Sequence, residues 1–85
     1  MPAISVFYGI AIFMYFGDHP PAHFHAVYGE HIARVGLGGV VLEGRLPPRA
    51  QALVRLRARQ HPEELQACWE RVNRHEPPGT IDPLP

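Results

Sequence analysis

The stretch His23-Phe24-His25-Ala26-Val27-Tyr28-Gly29-Glu30-His31-Ile32-Ala33-Arg34-Val35-Gly36-Leu37 decides how this chain folds. It reads as two strands, 23–28 and 31–37, around a two-residue loop. Glycine first in such a loop suits a type II′ turn, whose twist matches that of antiparallel strands. The loop length then fixes the register. Tyr28 faces His31, Val27 faces Ile32, Ala26 faces Ala33, His25 faces Arg34 and Phe24 faces Val35. Successive side chains point to opposite faces of a sheet. Phe24, Ala26, Tyr28, Ala33 and Val35 therefore share one face, largely apolar, which reads as the core side. His23, His25 and Arg34, with Val27 and Ile32 nearer the turn, share the other, which reads as polar and open to solvent. A slip of one residue would exchange the two sets.

Working outward, Ile4 to Tyr8 reads as a short strand broken at Gly9. Ile10 to Phe16 follows, with Ile10, Ile12, Met14 and Phe16 on one face and Ala11, Phe13 and Tyr15 on the other. Both faces are apolar, so this strand is central or its second face meets another subunit. Gly17 to Pro21 is a turn in which the two prolines are predicted to hold the chain extended. Gly38-Gly39 turns the chain again before a last short strand, Val40 to Glu43.

Beyond Gly44 the apolar period changes to that of a helix. Pro47-Pro48 opens the first helix, where proline costs least. Ala50, Leu53 and Val54 form its inward stripe. Arg57 falls on the same stripe, so its head is predicted to snorkel to water or to pair with a carboxylate. The second helix begins at Pro62, with Glu63 and Glu64 suited to the positive first turn. Leu65, Cys68, Trp69 and Val72 recur at i, i+3, i+4 and i+7. Strands first and helices after predict an α+β fold: an antiparallel β-meander of four to five strands over 4–44, then two helices packed on one face. The helices are placed at about 47–60 and 62–75, with a tail over 76–85.

At 85 residues the chain is read as a single domain, 1–85, too small for a second core. Eight basic residues balance eight acidic ones, and all eight are arginine. The absence of lysine removes Schiff-base chemistry and the Walker phosphate loop. Balance hides segregation: residues 1–44 carry a net −2, and residues 45–75 a net +4 from seven arginines and three glutamates. Arg55 and Arg59 share an outer helix face and would be the nucleic-acid contacts if there are any. One cysteine, Cys68, makes no internal disulfide. The uncharged N-terminal stretch lacks a signal peptide's basic region and is shorter than a membrane span. A cytoplasmic protein with no membrane association is expected.

The densest polar segment is Asp18-His19-Pro20-Pro21-Ala22-His23-Phe24-His25. Histidines two apart on a strand leave the same face, and Arg34 lies opposite His25. Four readings follow. A metal centre would use His23 and His25 with His19 or Asp18 as third ligand, for a divalent transition metal such as zinc, nickel or copper. Metal-independent RNA cleavage would use His25 as base, His23 as acid and Arg34 to stabilise charge on the phosphate. A binding module would offer this His, Tyr and Arg surface to a protein partner. In the plainest reading the histidines only hydrogen-bond their neighbours. His31, His61 and His75 read as structural, and Cys68 and Trp69 as core.

The runs Phe7-Tyr8-Gly9-Ile10, Met14-Tyr15-Phe16, Asp18-His19-Pro20-Pro21, His23-Phe24-His25 and Leu42-Glu43-Gly44-Arg45-Leu46-Pro47-Pro48-Arg49-Ala50 resemble the domain of unknown function 4160 family of short bacterial proteins. The resemblance spans roughly residues 1–82. It implies a small protein partner encoded by a neighbouring gene, in an arrangement resembling toxin–antitoxin pairs, and assigns no catalytic residue. A homodimer and an RNA ligand stand beside that partner as expectations. Arg57 and Phe13 depart from the pattern, the first where an apolar residue is usual and the second where a more polar one is.

Overall fold

The computed structural model describes residues 3–81. Five strands, β1 (Ser5–Phe7), β2 (Ile10–Phe13), β3 (His23–Tyr28), β4 (His31–Gly36) and β5 (Val41–Gly44), precede α1 (Pro48–Gln60) and α2 (Pro62–Asn73). The strands form one antiparallel sheet in chain order, β1-β2-β3-β4-β5. This is the α+β meander with two following helices that the sequence predicts.

The central hairpin has the predicted register at every pair, from Tyr28↔His31 to Phe24↔Val35. Gly29 takes φ +58 while Glu30 stays outside the left-handed region, as a II′ turn requires. Phe24, Ala26, Ala33 and Val35 are buried on the core side. β2 is an interior strand, and it stops at the Phe13↔His25 pair, short of the predicted Phe16. There the chain leaves the ladder for a turn through Gly17, at φ +74. Met14 stays buried beyond the strand, while Tyr15 and Phe16 are exposed.

The last strand needs a glycine at its end. Gly44 has φ +84, and a Cβ there would stand 2.3 Å from the Ile32 carbonyl oxygen. No side chain fits that approach. The β4–β5 ladder is irregular between Arg34 and Val35.

α1 starts with Pro48 at its first position and has no side-chain cap. It buries Ala50, Val54, Arg57 and Ala58. α2 buries Leu65, Cys68, Trp69 and Val72, the four residues of its predicted stripe. Both stripes join Ile4, Ile10, Ile12 and Phe24 in one core. α2 ends earlier than predicted, in a Schellman arrangement. The Glu76 N–H bonds the Arg71 carbonyl at 2.8 Å and the His75 N–H the Val72 carbonyl at 3.1 Å. The chain then returns to the sheet, where the Ile81 N–H donates to the Ile4 carbonyl at 2.7 Å. The rest of the predicted tail, residues 82–85, lies outside the described residues.

Arg57 corrects an expectation. Its head does not reach water: the residue is 5 % exposed. Its Nη1 donates to His61 Nε2 at 2.6 Å and its Nη2 to Ser5 Oγ at 3.4 Å. The guanidinium also stands 5.8 Å from the centre of the Phe7 ring. His61 Nδ1 turns in the other direction, to Glu64. Glu64 thus connects to the buried cation through the imidazole between them.

Candidate metal centre

Asp18, His23 and His25 converge at the start of β3. One ligand atom from each can be chosen so that all lie within 4.8 Å of one another. The strand supplies the two imidazoles. As i and i+2 neighbours their rings lie 5.2 Å apart, within the separation the alternation predicts. Asp18 is delivered by the loop that follows Gly17. Its Oδ2 lies 3.2 Å from His25 Nε2 and 3.4 Å from His23 Nε2. Pro20 and Pro21 between them form a bend joined by a cis peptide bond, not the extended spacer that was predicted.

The tautomer of His23 follows from its neighbour. Its Nδ1 lies 2.8 Å from the Pro21 carbonyl oxygen, which can only accept, so Nδ1 carries the proton and donates. In the neutral ring, Nε2 then presents a lone pair toward the Asp18 carboxylate. A backbone carbonyl holding one ring nitrogen while the other faces inward is how metal-ligating histidines are oriented. His25 Nε2 lies within hydrogen-bonding distance of the same Asp18 oxygen.

Aromatic rings wall the cluster. The Tyr15 ring lies 4.7 Å from His25 and the Trp69 indole 5.3 Å from His23. Phe13 stacks parallel to Tyr15 at 6.3 Å. These walls correct the expectation that both imidazoles face solvent. His23 is 3 % exposed, under Trp69, whereas the His25 side chain keeps 22 % of its surface open. Gly36 is the cross-strand partner of His23 and offers no side chain beside it. Access to the three atoms is therefore from the Asp18 and His25 side.

The other candidate residues lie elsewhere. His19 is exposed and outside the cluster, so Asp18 is the third member. Arg34 does stand opposite His25 in the ladder, but its guanidinium reaches Glu43 on β5, at 3.7 Å. Arg55 and Arg59 are exposed on α1. Sequence reasoning missed Trp69 and Tyr15 as walls, because ring contacts between distant elements leave no local pattern. It also missed the Ser5–Arg57–His61–Glu64 chain. Its signal was present in the i, i+4 and i, i+3 spacings that set Arg57, His61 and Glu64 along one line.

Cys68 carries no chemistry here. Burial pushes its thiol above the ordinary value of 9.0, against the opposing pull of the Arg71 cation. No helix among the described residues is long and apolar enough to cross a membrane. Residues 9–70 match the family described as Domain of unknown function (DUF4160). No curated protein and no solved structure matches the chain.

Proposed function

This chain belongs to the Domain of unknown function (DUF4160) family, a description that names no activity, and from that premise we propose that it binds a divalent transition metal ion through His23 Nε2, His25 Nε2 and Asp18. One observation carries the reading. His23 Nδ1 donates its N–H to the Pro21 carbonyl, so in the neutral ring Nε2 points a lone pair at a carboxylate oxygen 3.4 Å away. Two electron-rich atoms at that distance are reconciled by a cation between them. Two imidazoles and one carboxylate suit zinc, nickel or copper, and are also the set that holds ferrous iron with open positions. Three protein ligands leave room for water or a small ligand on the His25 side. The bound ion would act there as a Lewis acid.

Titration of metal-free protein with zinc, nickel and copper salts tests this. Binding should saturate at one ion per chain and raise the melting temperature. At a free metal concentration 100 times Kd the gain is about 2.7 kcal/mol. Asp18→Asn and His25→Ala should each lose the effect, and His19→Ala should keep it. Equal loss in His19→Ala, or no binding by the parent chain, would contradict the reading.

A second reading, action through a protein partner encoded by a neighbouring gene as in toxin–antitoxin-like pairs, is favoured by the outer face of the sheet. Val6, Ala11, Val27 and Ile32 stand in one cross-strand row. Val6 is 57 % and Ile32 60 % exposed. Aliphatic side chains so aligned and open suit a protein surface. Ile32→Asp should then abolish co-purification with the neighbouring gene's product and leave metal binding unchanged. Retention of the partner would count against this face.

A further inference from the structure

The far end of β3 carries an unrelated feature. The Phe7↔Ile10 pair leaves Tyr8-Gly9 as a two-residue hairpin loop. Both residues have positive φ, +49 at Tyr8 and +79 at Gly9, the pattern of a type I′ turn. Asparagine or glycine suits the first of these positions, and a bulky aromatic there is an outlier. Core burial does not explain it, because Tyr8 is 60 % exposed. Strain of this kind gathers where a side chain is held for a ligand.

The ring borders a cleft of about 480 Å³ between this turn, the end of β3 and the start of α1. Tyr28, Pro47 and Arg49 line it with three smaller aliphatic side chains. The second ring packs over Gly9, where a Cβ would be in ordinary contact with Tyr28 Cε1, at 3.5 Å. No acidic residue lines the cleft. Arg49 lies in the first turn of α1, which holds no acid, and no carboxylate among the described residues is paired with it. One wall is therefore aromatic and another cationic, in a space of the size that small-molecule sites occupy.

We propose that this cleft binds a nucleoside monophosphate, with the base against the Tyr8 and Tyr28 rings and the phosphate on Arg49. Aromatic rings accept any base through its π-face. A guanidinium fork matches phosphate oxygens in pairs. A cationic ligand would find no counter-charge here. The occupant is a free nucleotide and not a segment of a strand, because Arg49 is the one cation in the cleft lining, enough for a single phosphate, whereas a strand needs a basic track along its backbone. This site is independent of the metal cluster. His23 and Tyr28 are the first and last residues of β3, about 17 Å apart at the rise of a strand.

The test uses the full chain, followed by backbone amide NMR and calorimetry, with adenosine monophosphate, adenosine and a short single-stranded RNA as probes. The monophosphate should shift the Gly9 and Tyr28 amides saturably. Arg49→Ala should weaken it about tenfold while barely changing adenosine. Tyr8→Asn should weaken both by about tenfold. Tyr8→Asn should also raise the melting temperature, since it relieves the turn. A lower melting temperature would assign the ring to the fold and overturn the proposal. So would the absence of saturable shifts with the monophosphate, or binding of the RNA alone.

Discussion

Two described residues other than glycine hold a positive φ, Tyr8 and His75, and they do so for different reasons. Tyr8 is open to solvent beside a cleft. His75 closes the Schellman turn of α2 at φ +58, the position where glycine is usual, and its ring lies 5.8 Å from Phe16. The backbone cost at His75 has no compensating burial, since the residue is exposed. His75→Gly should therefore raise stability by about 1 kcal/mol, read as a higher midpoint in denaturant. Cys68 gives a second prediction. Burial holds its thiol above 9.0, so the folded chain resists ionising it while the unfolded chain does not. The resulting stability is present below pH 9 and is lost as the pH climbs through the folded value. Native protein should leave Cys68 unmodified by a thiol reagent near neutral pH, and denaturant should release it.

Among the elements, the central hairpin was legible because one glycine fixed its loop and alternation then fixed every pair. The α2 stripe was equally legible, since Leu65, Cys68, Trp69 and Val72 repeat without interruption. The other edges were not. β2 ends at Phe13 because the loop carrying Asp18 has to leave the ladder there, and its apolar residues continue past the point where pairing stops. Arg57 looked like an interruption of α1 because its partners, Ser5 and His61, lie on β1 and just past the helix end. No window along the sequence brings those three together. β5 depends on a contact across strands. Gly44→Ala would drive a Cβ into the Ile32 carbonyl from a left-handed backbone, and should cost about 2–3 kcal/mol by thermal or chemical unfolding. Gly29→Ala, with open space around it, should cost less.

Across the whole molecule, the two proposed sites lie at opposite ends of β3. The Asp18, His23 and His25 cluster occupies the start of the strand, and the tyrosine cleft its end. Half of the first region was readable from the chain. Histidines two apart on a strand had to share a side, and Asp18 and His19 both stood within reach as a third group. The choice between them needed the fold, which brings the Asp18 carboxylate to both imidazoles and leaves His19 exposed. The burial of His23 needed it too. Trp69 comes from a helix over forty positions away, and only packing shows that a residue of the apolar stripe also covers the imidazole. Coverage on one side and access on the other is the arrangement of an ion site with its ligands already oriented.

The central claim is that these three side chains hold a metal. Crystals of the tag-free protein soaked in zinc, measured on either side of the zinc absorption edge, test it directly. The claim requires one anomalous peak at about 2.0–2.2 Å from His23 Nε2, His25 Nε2 and an Asp18 oxygen, with no peak at His19. Zinc found only at exposed histidines, with the Asp18, His23 and His25 side chains undisturbed and nothing between them, would contradict it.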